Sequence, residues 1–383
     1  MSRIRTLVIV LAGGAGGRLE LLTRERAKPA VPFAGSHRLI DFPLSNCHNS
    51  GLSDVWVVQQ FNPISLSDHL SNGRPWDLDR TVGGLLLLQP RQGDDGRSGF
   101  PRGTADALWR NAPLIRDFAP EALVVVSADA VYAQDYGELV AGHVESGADV
   151  TMVTTEVASD DAARYGVVQA DGGRIRDYEY KPDEPKGNLV ANEVFAFSPG
   201  PLLETLEDVD EPEDLGHEVL PRLVHAGGAR EARFDGYWRD VGTVDAYWQC
   251  HMDLLADEPP IDLDAPGWPV LTHATGRRAA VRMRPGAEVE GSLLGPASIV
   301  SGTVERSVIG RGAVVEPGAT VREAVILPGA VVRSGSSVVR AVIDDEVEVA
   351  ADVGEAGGDI ALVGLRERVN EPVPAGGRFP EVE

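Results

Sequence analysis

The chain of 383 residues is poor in several things at once. It has two cysteines, Cys47 and Cys250, in unrelated segments. Neither a disulfide framework nor a zinc motif can be built from them, and a reduced compartment fits. No apolar run approaches the ~20 residues that a membrane span needs. The amino-terminal apolar run, Leu7 to Leu11, is too short for a secretory signal, so a cytoplasmic location with no membrane partner is expected. Positive charge is scarce: 35 Lys and Arg face 59 Asp and Glu, a net charge of −24, and lysine occurs only at 28, 181 and 186. A basic face for nucleic acid is thereby excluded. Any anion must be met by a local concentration of cations and backbone N–H groups inside a repelling field.

What is present falls into two regimes. Leu7–Leu11, Val55–Val58, Leu123–Val126 and Val150–Val153 are continuous β-branched-rich runs, suited to strands buried on both faces of a mostly parallel sheet. Candidate helices, Ala105–Phe118 and Tyr136–Ser146, alternate with them, which predicts a doubly wound α/β sheet with ligands beyond the carboxyl ends of its strands. Residues 89–103 are rich in Gly, Arg and Asp and read as a surface loop, a candidate lid. Residues 256–270 are acidic and proline-rich and read as a linker.

Beyond the linker the period changes. Ile309, Ile326 and Ile343 are spaced by 17 residues, as are Val315, Val332 and Val349, and Val304, Val321 and Val338. Within a coil the aliphatic anchors step 6, 6 and 5, and a shorter 15-residue coil, Ser292–Arg306, precedes them. Three short strands per turn give this spacing and helices do not, so a parallel β-helix of hexapeptide repeats is predicted. The expected division is a catalytic domain over 1–255, a linker over 256–270 and the β-helix over 271–383. The open faces of such a solenoid call for a cover, either the chain's own first domain or another subunit.

Three motifs carry chemistry. Leu11-Ala12-Gly13-Gly14-Ala15-Gly16-Gly17-Arg18-Leu19 follows a strand. A turn this rich in glycine lets backbone N–H groups converge on a polyphosphate, with Arg18 as a fixed charge, although a plain tight turn reads the same way by itself. It is neither a Walker loop nor a dinucleotide fingerprint. Arg26-Ala27-Lys28-Pro29-Ala30-Val31-Pro32 brings Lys28 close behind it, and Arg38-Leu39-Ile40-Asp41-Phe42-Pro43-Leu44-Ser45-Asn46-Cys47 follows. Asp129 comes just after a strand, where it serves equally as a metal ligand or a turn former. The histidines show no metal spacing.

Together these motifs resemble the bacterial ADP-glucose pyrophosphorylase (glucose-1-phosphate adenylyltransferase) family. Gly103-Thr104-Ala105-Asp106-Ala107, Ser127-Ala128-Asp129, Tyr165-Gly166-Val167-Val168, Tyr180-Lys181-Pro182 and Tyr237-Trp238-Arg239-Asp240-Val241-Gly242 follow in the family's order. The resemblance implies a Rossmann-like nucleotidyltransferase sheet followed by a left-handed β-helix. It implies ATP and glucose 1-phosphate as substrates, Mg²⁺ as cofactor and a homo-oligomer, with a tetramer favoured.

Site roles carried over by the resemblance are these. Arg18, Lys28 and Asp129 are catalytic, and Asp129 and Asp240 jointly hold the metal. The nucleotide lies on Leu11, Ala12, Gly13, Gly14, Gly16 and Gly17, with its base near Gln59, Gly103, Thr104 and Ala105. Gly166, Tyr180, Lys181 and Asn192 serve the sugar phosphate, Gly166 by leaving room for the hexose. The chain departs from the family where Tyr180 replaces a glutamate that would accept from sugar hydroxyls. It departs again where Ala191-Asn192-Glu193-Val194-Phe195 replaces Ser-Met-Gly-Ile-Tyr, where Ala130 follows Asp129, and where Asp214-Leu215-Gly216-His217-Glu218 loses a positive charge. Another sugar 1-phosphate or triphosphate, or a non-catalytic regulatory subunit of the same fold, are the alternatives these departures raise.

Overall fold

A computed structural model describes residues 4–13, 16–90, 99–273 and 279–381. The apolar runs form the centre of a nine-stranded sheet. Its strands, in chain order, are β1 (Thr6–Ala12), β2 (Asp54–Gln59), β3 (Gly84–Leu88), β4 (Ala122–Ser127), β5 (Val150–Glu156), β6 (Gly166–Asp171), β7 (Arg174–Tyr180), β8 (Leu189–Phe197) and β9 (Ala229–Arg233). Their spatial order is β3-β2-β1-β4-β8-β5-β9-β7-β6. The first four neighbours run parallel, β8 lies antiparallel between β4 and β5, and β5 pairs parallel with β9.

The central strands β1, β2 and β4 are buried on both sides because apolar residues fill both of their faces, whereas β7 and β9 carry exposed arginines. Alternation sends Leu7 and Ile9 into one core and Val8 and Val10 into the other. The helices Thr104–Phe118 and Tyr136–Ser146 connect successive strands. The second is capped by Asp135, whose carboxylate accepts from the N–H groups of Gly137 and Glu138, and it ends at Gly147 with φ of +63°.

The β-helix follows the anticipated register. Ile309 pairs with Ile326 and Ile326 with Ile343, Val315 with Val332 and Val332 with Val349, and Val304 with Val321 and Val321 with Val338. The shorter first coil appears as Leu294 against Ile309 and Val300 against Val315. The stack runs on to Phe379, through coils whose spacing differs: Ile343 pairs with Val363, and Val363 with Phe379.

One face of this solenoid is apolar outside as well as inside. Ile309, Ile326 and Ile343 point inward, whereas Val308, Val325, Val342 and Leu362 point out. The outward row packs on Leu19, Leu21, Phe33, Val241, Tyr247 and Trp248, so the chain's own first half covers that face. Residues 256–270 run along the surface of the first half: Trp268 donates its indole N–H to Asn46, Asn49 donates to the Pro269 carbonyl, and Ile261 and Val270 are buried. Among the described residues no helix is long and apolar enough to cross a membrane.

Candidate active site

A cleft of about 940 Å³ opens at the carboxyl ends of β1 and β4. Beside it, next to Asp129, lies a two-stranded ribbon. Trp238–Asp240 pairs antiparallel with Ala130–Tyr132, which sets Asp240 opposite Ala130, and the N–H of Val241 donates to the carbonyl of Asp129 at 3.0 Å. Two aspartates far apart in sequence are thereby neighbours.

Lys28 lies between them. Its Nζ donates to Asp129 Oδ2 at 2.7 Å and to Asp240 Oδ1 at 3.5 Å, and the residue is only 6% exposed. Burial pulls the ammonium down, but Asp129 and then Asp240 outweigh it and hold Lys28 above its ordinary value. Burial likewise raises Asp129, yet Lys28 and the Ser127 hydroxyl overcome this and keep it low. Asp240 goes the other way: burial first, then the charge of Asp129, push it up, and Lys28, Arg164 and Arg18 only partly offset them.

Arg18 completes the group from the glycine loop. A Cβ on Gly242 would stand 2.6 Å from Asp240 Oδ2 and 3.2 Å from Arg18 Nη2, so a bare backbone there lets the two approach. Gly16 has φ of +65°, and a Cβ on it would meet Thr23 Cγ2 at 2.7 Å and Lys28 Cβ at 3.2 Å. This glycine therefore seats the lysine as well as turning the chain. Gly14 lies outside the described residues, as does part of the 89–103 loop.

The remaining anticipated residues divide. Leu11, Gly13, Gly103, Thr104, Gly166, Tyr180 and Asp129 line the cleft. Ala12 is a core residue, because alternation along β1 turns it away from Leu11's side. Lys181 has φ of +47° and its ammonium lies 4.5 Å from the centre of the Tyr180 ring.

Four expectations need correction. Gln59 is buried beside Ala12, and its amide is spent on the Ser67 hydroxyl at 3.0 Å. Gln60, on the alternate face, lines the cleft instead. The amides of Ala105 and Asp106 donate to the carbonyl of Glu213, and the Thr104 hydroxyl accepts from Leu215 N–H, so this turn offers a base less than anticipated. Gly166 does not hold space for a sugar: a Cβ there would meet the Tyr178 hydroxyl at 2.4 Å, so the freed volume belongs to Tyr178. Asn192 is 1% exposed and its Oδ1 accepts from Val194 N–H, whereas its neighbour Glu193 faces the cleft.

Sequence reading missed Ser127, Arg164 and Glu193. Arg164 reaches Asp240 at 3.5 Å, and burial, which would lower it, is outweighed by Tyr165, Asp161 and Asp240. Its position just before Tyr165-Gly166 was the available signal. Glu193 is exposed toward the cleft, and partial withdrawal from bulk water there, then the charges of Asp129 and Asp240, push it up to about 7 against the opposite pull of Lys28 and Lys181.

The residues present suit a small hard cation. Two desolvated carboxylates converge on one ammonium, and among the described residues no cluster of three His, Cys, Asp or Glu side chains could hold an ion. Such a pair suits a divalent cation that takes one or two carboxylates and completes its shell with substrate phosphates and water.

Two family models match: one described as nucleotidyl transferase over residues 7–257, the other as GlmU-like, C-terminal hexapeptide, over 279–361. A curated relative from Thermomicrobium roseum named glucose-1-phosphate adenylyltransferase is 46% identical over 299 residues, 76% of this chain and 69% of its own. The chain belongs to the glucose-1-phosphate adenylyltransferase family. A relative of the same name from Thermotoga maritima is 41% identical over 81% of this chain and 76% of its own. Another, from Acetivibrio thermocellus, is 34% identical over 92% of this chain and 84% of its own. The family's architecture, a nucleotidyltransferase sheet and a left-handed β-helix of hexapeptide repeats, is the one described above.

Proposed function

We propose that the chain transfers the adenylyl group of ATP to glucose 1-phosphate and releases pyrophosphate. A phosphate oxygen of glucose 1-phosphate forms the new bond to the α-phosphorus as the bond from that phosphorus to the β-bridging oxygen breaks. The attacking oxygen is already anionic, so no base is required. Catalysis is then a matter of in-line placement and charge neutralisation. The observation that carries this reading is Lys28 buried between Asp129 and Asp240, with Arg18 beside them at the ends of parallel strands.

Asp129 and Asp240 would hold Mg²⁺, which when bound offsets charge on the phosphates of both reactants. Lys28 and Arg18 face the triphosphate, with the amides of Gly13, Gly16 and Gly17 around it. Lys181 takes the phosphate of the acceptor. The carboxylates keep Lys28 charged, so it meets the triphosphate as a full cation.

In this reading residues 1–255 are the catalytic domain, 256–270 the linker and 271–383 the β-helix. The protein is a cytoplasmic homo-oligomer, with a tetramer favoured. The matched spans of 7–257 and 279–361 support a two-domain division, and the location and assembly rest on the family resemblance alone.

Pyrophosphate release, followed with Mg²⁺, each nucleoside triphosphate and a panel of sugar 1-phosphates, tests the reading. Turnover should be greatest with ATP and glucose 1-phosphate. A different best pair would reassign the substrates, and silence across the panel would leave a binding subunit. Asp129→Asn should lower turnover by about 10³-fold or more while the fold persists. Near-normal rates would remove Asp129 from the site.

A further inference from the structure

Glu193 is the residue of the cleft that the proposed chemistry leaves unused. It lies inside β8, where the register against β5 slips between Ala191 and Phe195, and it holds φ of +61°. A side chain in that backbone region is strained, and most strained residues of this kind sit in turns, not within strands. Strain kept at such a place marks a position selected for where it points. Here the side chain lines the cleft.

Its electrostatic neighbours locate it. Asp129, Asp240, Lys28 and Lys181 act on Glu193, and Tyr165, Tyr178 and Tyr180, raised chiefly by burial, feel its charge as a smaller addition. The carboxylate shares one cleft lining with Asp129, Tyr178 and Tyr180. It does not belong to a three-carboxylate metal site, since none is formed among the described residues. No hydrogen bond or salt bridge ties it down among those residues. The other carboxylate on this wall is committed: Asp214 accepts from the N–H groups of Gly216 and His217 and from the Tyr180 hydroxyl. Tyr180, which stands where the family has a glutamate, thus spends its hydroxyl inside the protein.

We propose that Glu193 is a specificity-determining residue that accepts hydrogen bonds from ring hydroxyls of the acceptor sugar. A free carboxylate in a cleft lined by Tyr178 and Tyr180, within electrostatic reach of Lys181, suits a polyhydroxylated ring whose phosphate is held by that lysine. A site built to bond a hydroxyl rejects analogues that lack it. This rests on the proposed sugar 1-phosphate chemistry and assigns the pocket's recognition to a residue that replaces a glycine of the family pattern.

The test uses the full chain with Glu193→Gln and Glu193→Gly, the second of which also relieves the backbone. With saturating ATP and Mg²⁺, kcat/KM for glucose 1-phosphate should fall ~10-fold in the first and up to ~100-fold in the second. The KM for ATP and the half-saturating Mg²⁺ should move less than about twofold, and thermal midpoints should not drop. Against monodeoxy glucose 1-phosphates, one missing hydroxyl should cost wild type about tenfold and the Glu193→Gln protein almost nothing. Equal penalties in both proteins, a shift in Mg²⁺ dependence instead, or faster turnover in Glu193→Gly would each overturn the proposal. Calorimetric binding of glucose 1-phosphate to the same proteins separates the two readings. Glu193-dependent binding without turnover removes the transferase assignment alone, and turnover indifferent to Glu193 removes this inference alone.

Discussion

At the scale of single residues, the site is an exchange of desolvation for pairing. Lys28 is more than nine-tenths buried and would lose its proton in an apolar pocket; two carboxylates keep it charged. The same carboxylates would repel one another without it, as the upward push of Asp129 on Asp240 records. Geometry this tight depends on what lies behind it. Gly16→Ala places a methyl 3.2 Å from Lys28 Cβ in a left-handed backbone, so the lysine must shift. We expect roughly a 10²-fold loss of kcat with about 1–2 kcal/mol of destabilisation, measured by steady-state kinetics and urea unfolding. A Gly16→Ala protein with wild-type kcat would detach this glycine from the lysine's position.

At the scale of elements, the helix Val244–Asp253 links the ribbon bearing Asp240 to the β-helix. Thr243 caps it, its hydroxyl accepting from Ala246 N–H. Trp248 donates its indole N–H to the Glu323 carbonyl, and Tyr247 donates its hydroxyl to the Pro32 carbonyl. His251, fully buried, uses both ring nitrogens: Nδ1–H donates to the Tyr247 carbonyl at 2.8 Å and Nε2 accepts from Ala34 N–H at 3.0 Å.

Burial pulls His251 down to about 4, only partly opposed by the Tyr247 carbonyl, so it folds neutral. Between an unfolded value near 6.5 and the folded value near 4, the unfolded chain binds the extra proton. Stability is then full above ~6.5 and falls as pH drops toward 4, by up to roughly 3 kcal/mol from this one group. Unfolding free energies measured across that window should show a shallower slope in His251→Gln. An unchanged slope would locate the acid sensitivity elsewhere.

At the scale of the whole molecule, the two halves share a core. Val308, Val325, Val342 and Leu362 present one aliphatic residue per coil to Leu19, Phe33, Tyr247 and Trp248. Arg26, two residues before Lys28, reaches across to Asp344 at 2.8 Å in a buried pair. Burial pushes Asp344 up to about 7 despite Arg26, whereas Arg26 itself is held above its ordinary value by the pair after burial has lowered it. We read the junction as held chiefly by its apolar face, with the pair fixing the relative position of the lysine segment. Removing residues 271–383 should expose that face and yield aggregated or unstable protein, seen by light scattering and thermal melts. A soluble monomer with an unchanged melting midpoint would contradict a shared core.

Much of this was legible in advance, for identifiable reasons. The strands Leu7–Leu11, Val55–Val58 and Leu123–Val126 are apolar at every position, and only two-sided burial tolerates that, so the amino-acid order by itself determined a layered α/β half. The 17-residue recurrence at Ile309, Ile326 and Ile343 determined the coil length, because an inward row must repeat once per turn. Arg18, Lys28 and the two aspartates were named from motif order.

What tertiary structure decided was direction and partnership. Gln59 and Gln60, or Asn192 and Glu193, differ by one step along a strand. Which of each pair meets the cleft depends on register and on a bulge that no local pattern announces. Whether the outward row Val308, Val325 and Val342 met its own chain or another depended on where the helix Val244–Asp253 came to rest. The physical cause is the same in each case. Periodicity is a property of neighbours along the chain, whereas facing a cleft, sharing a proton or covering a surface is settled by residues brought together only when the chain has closed on itself.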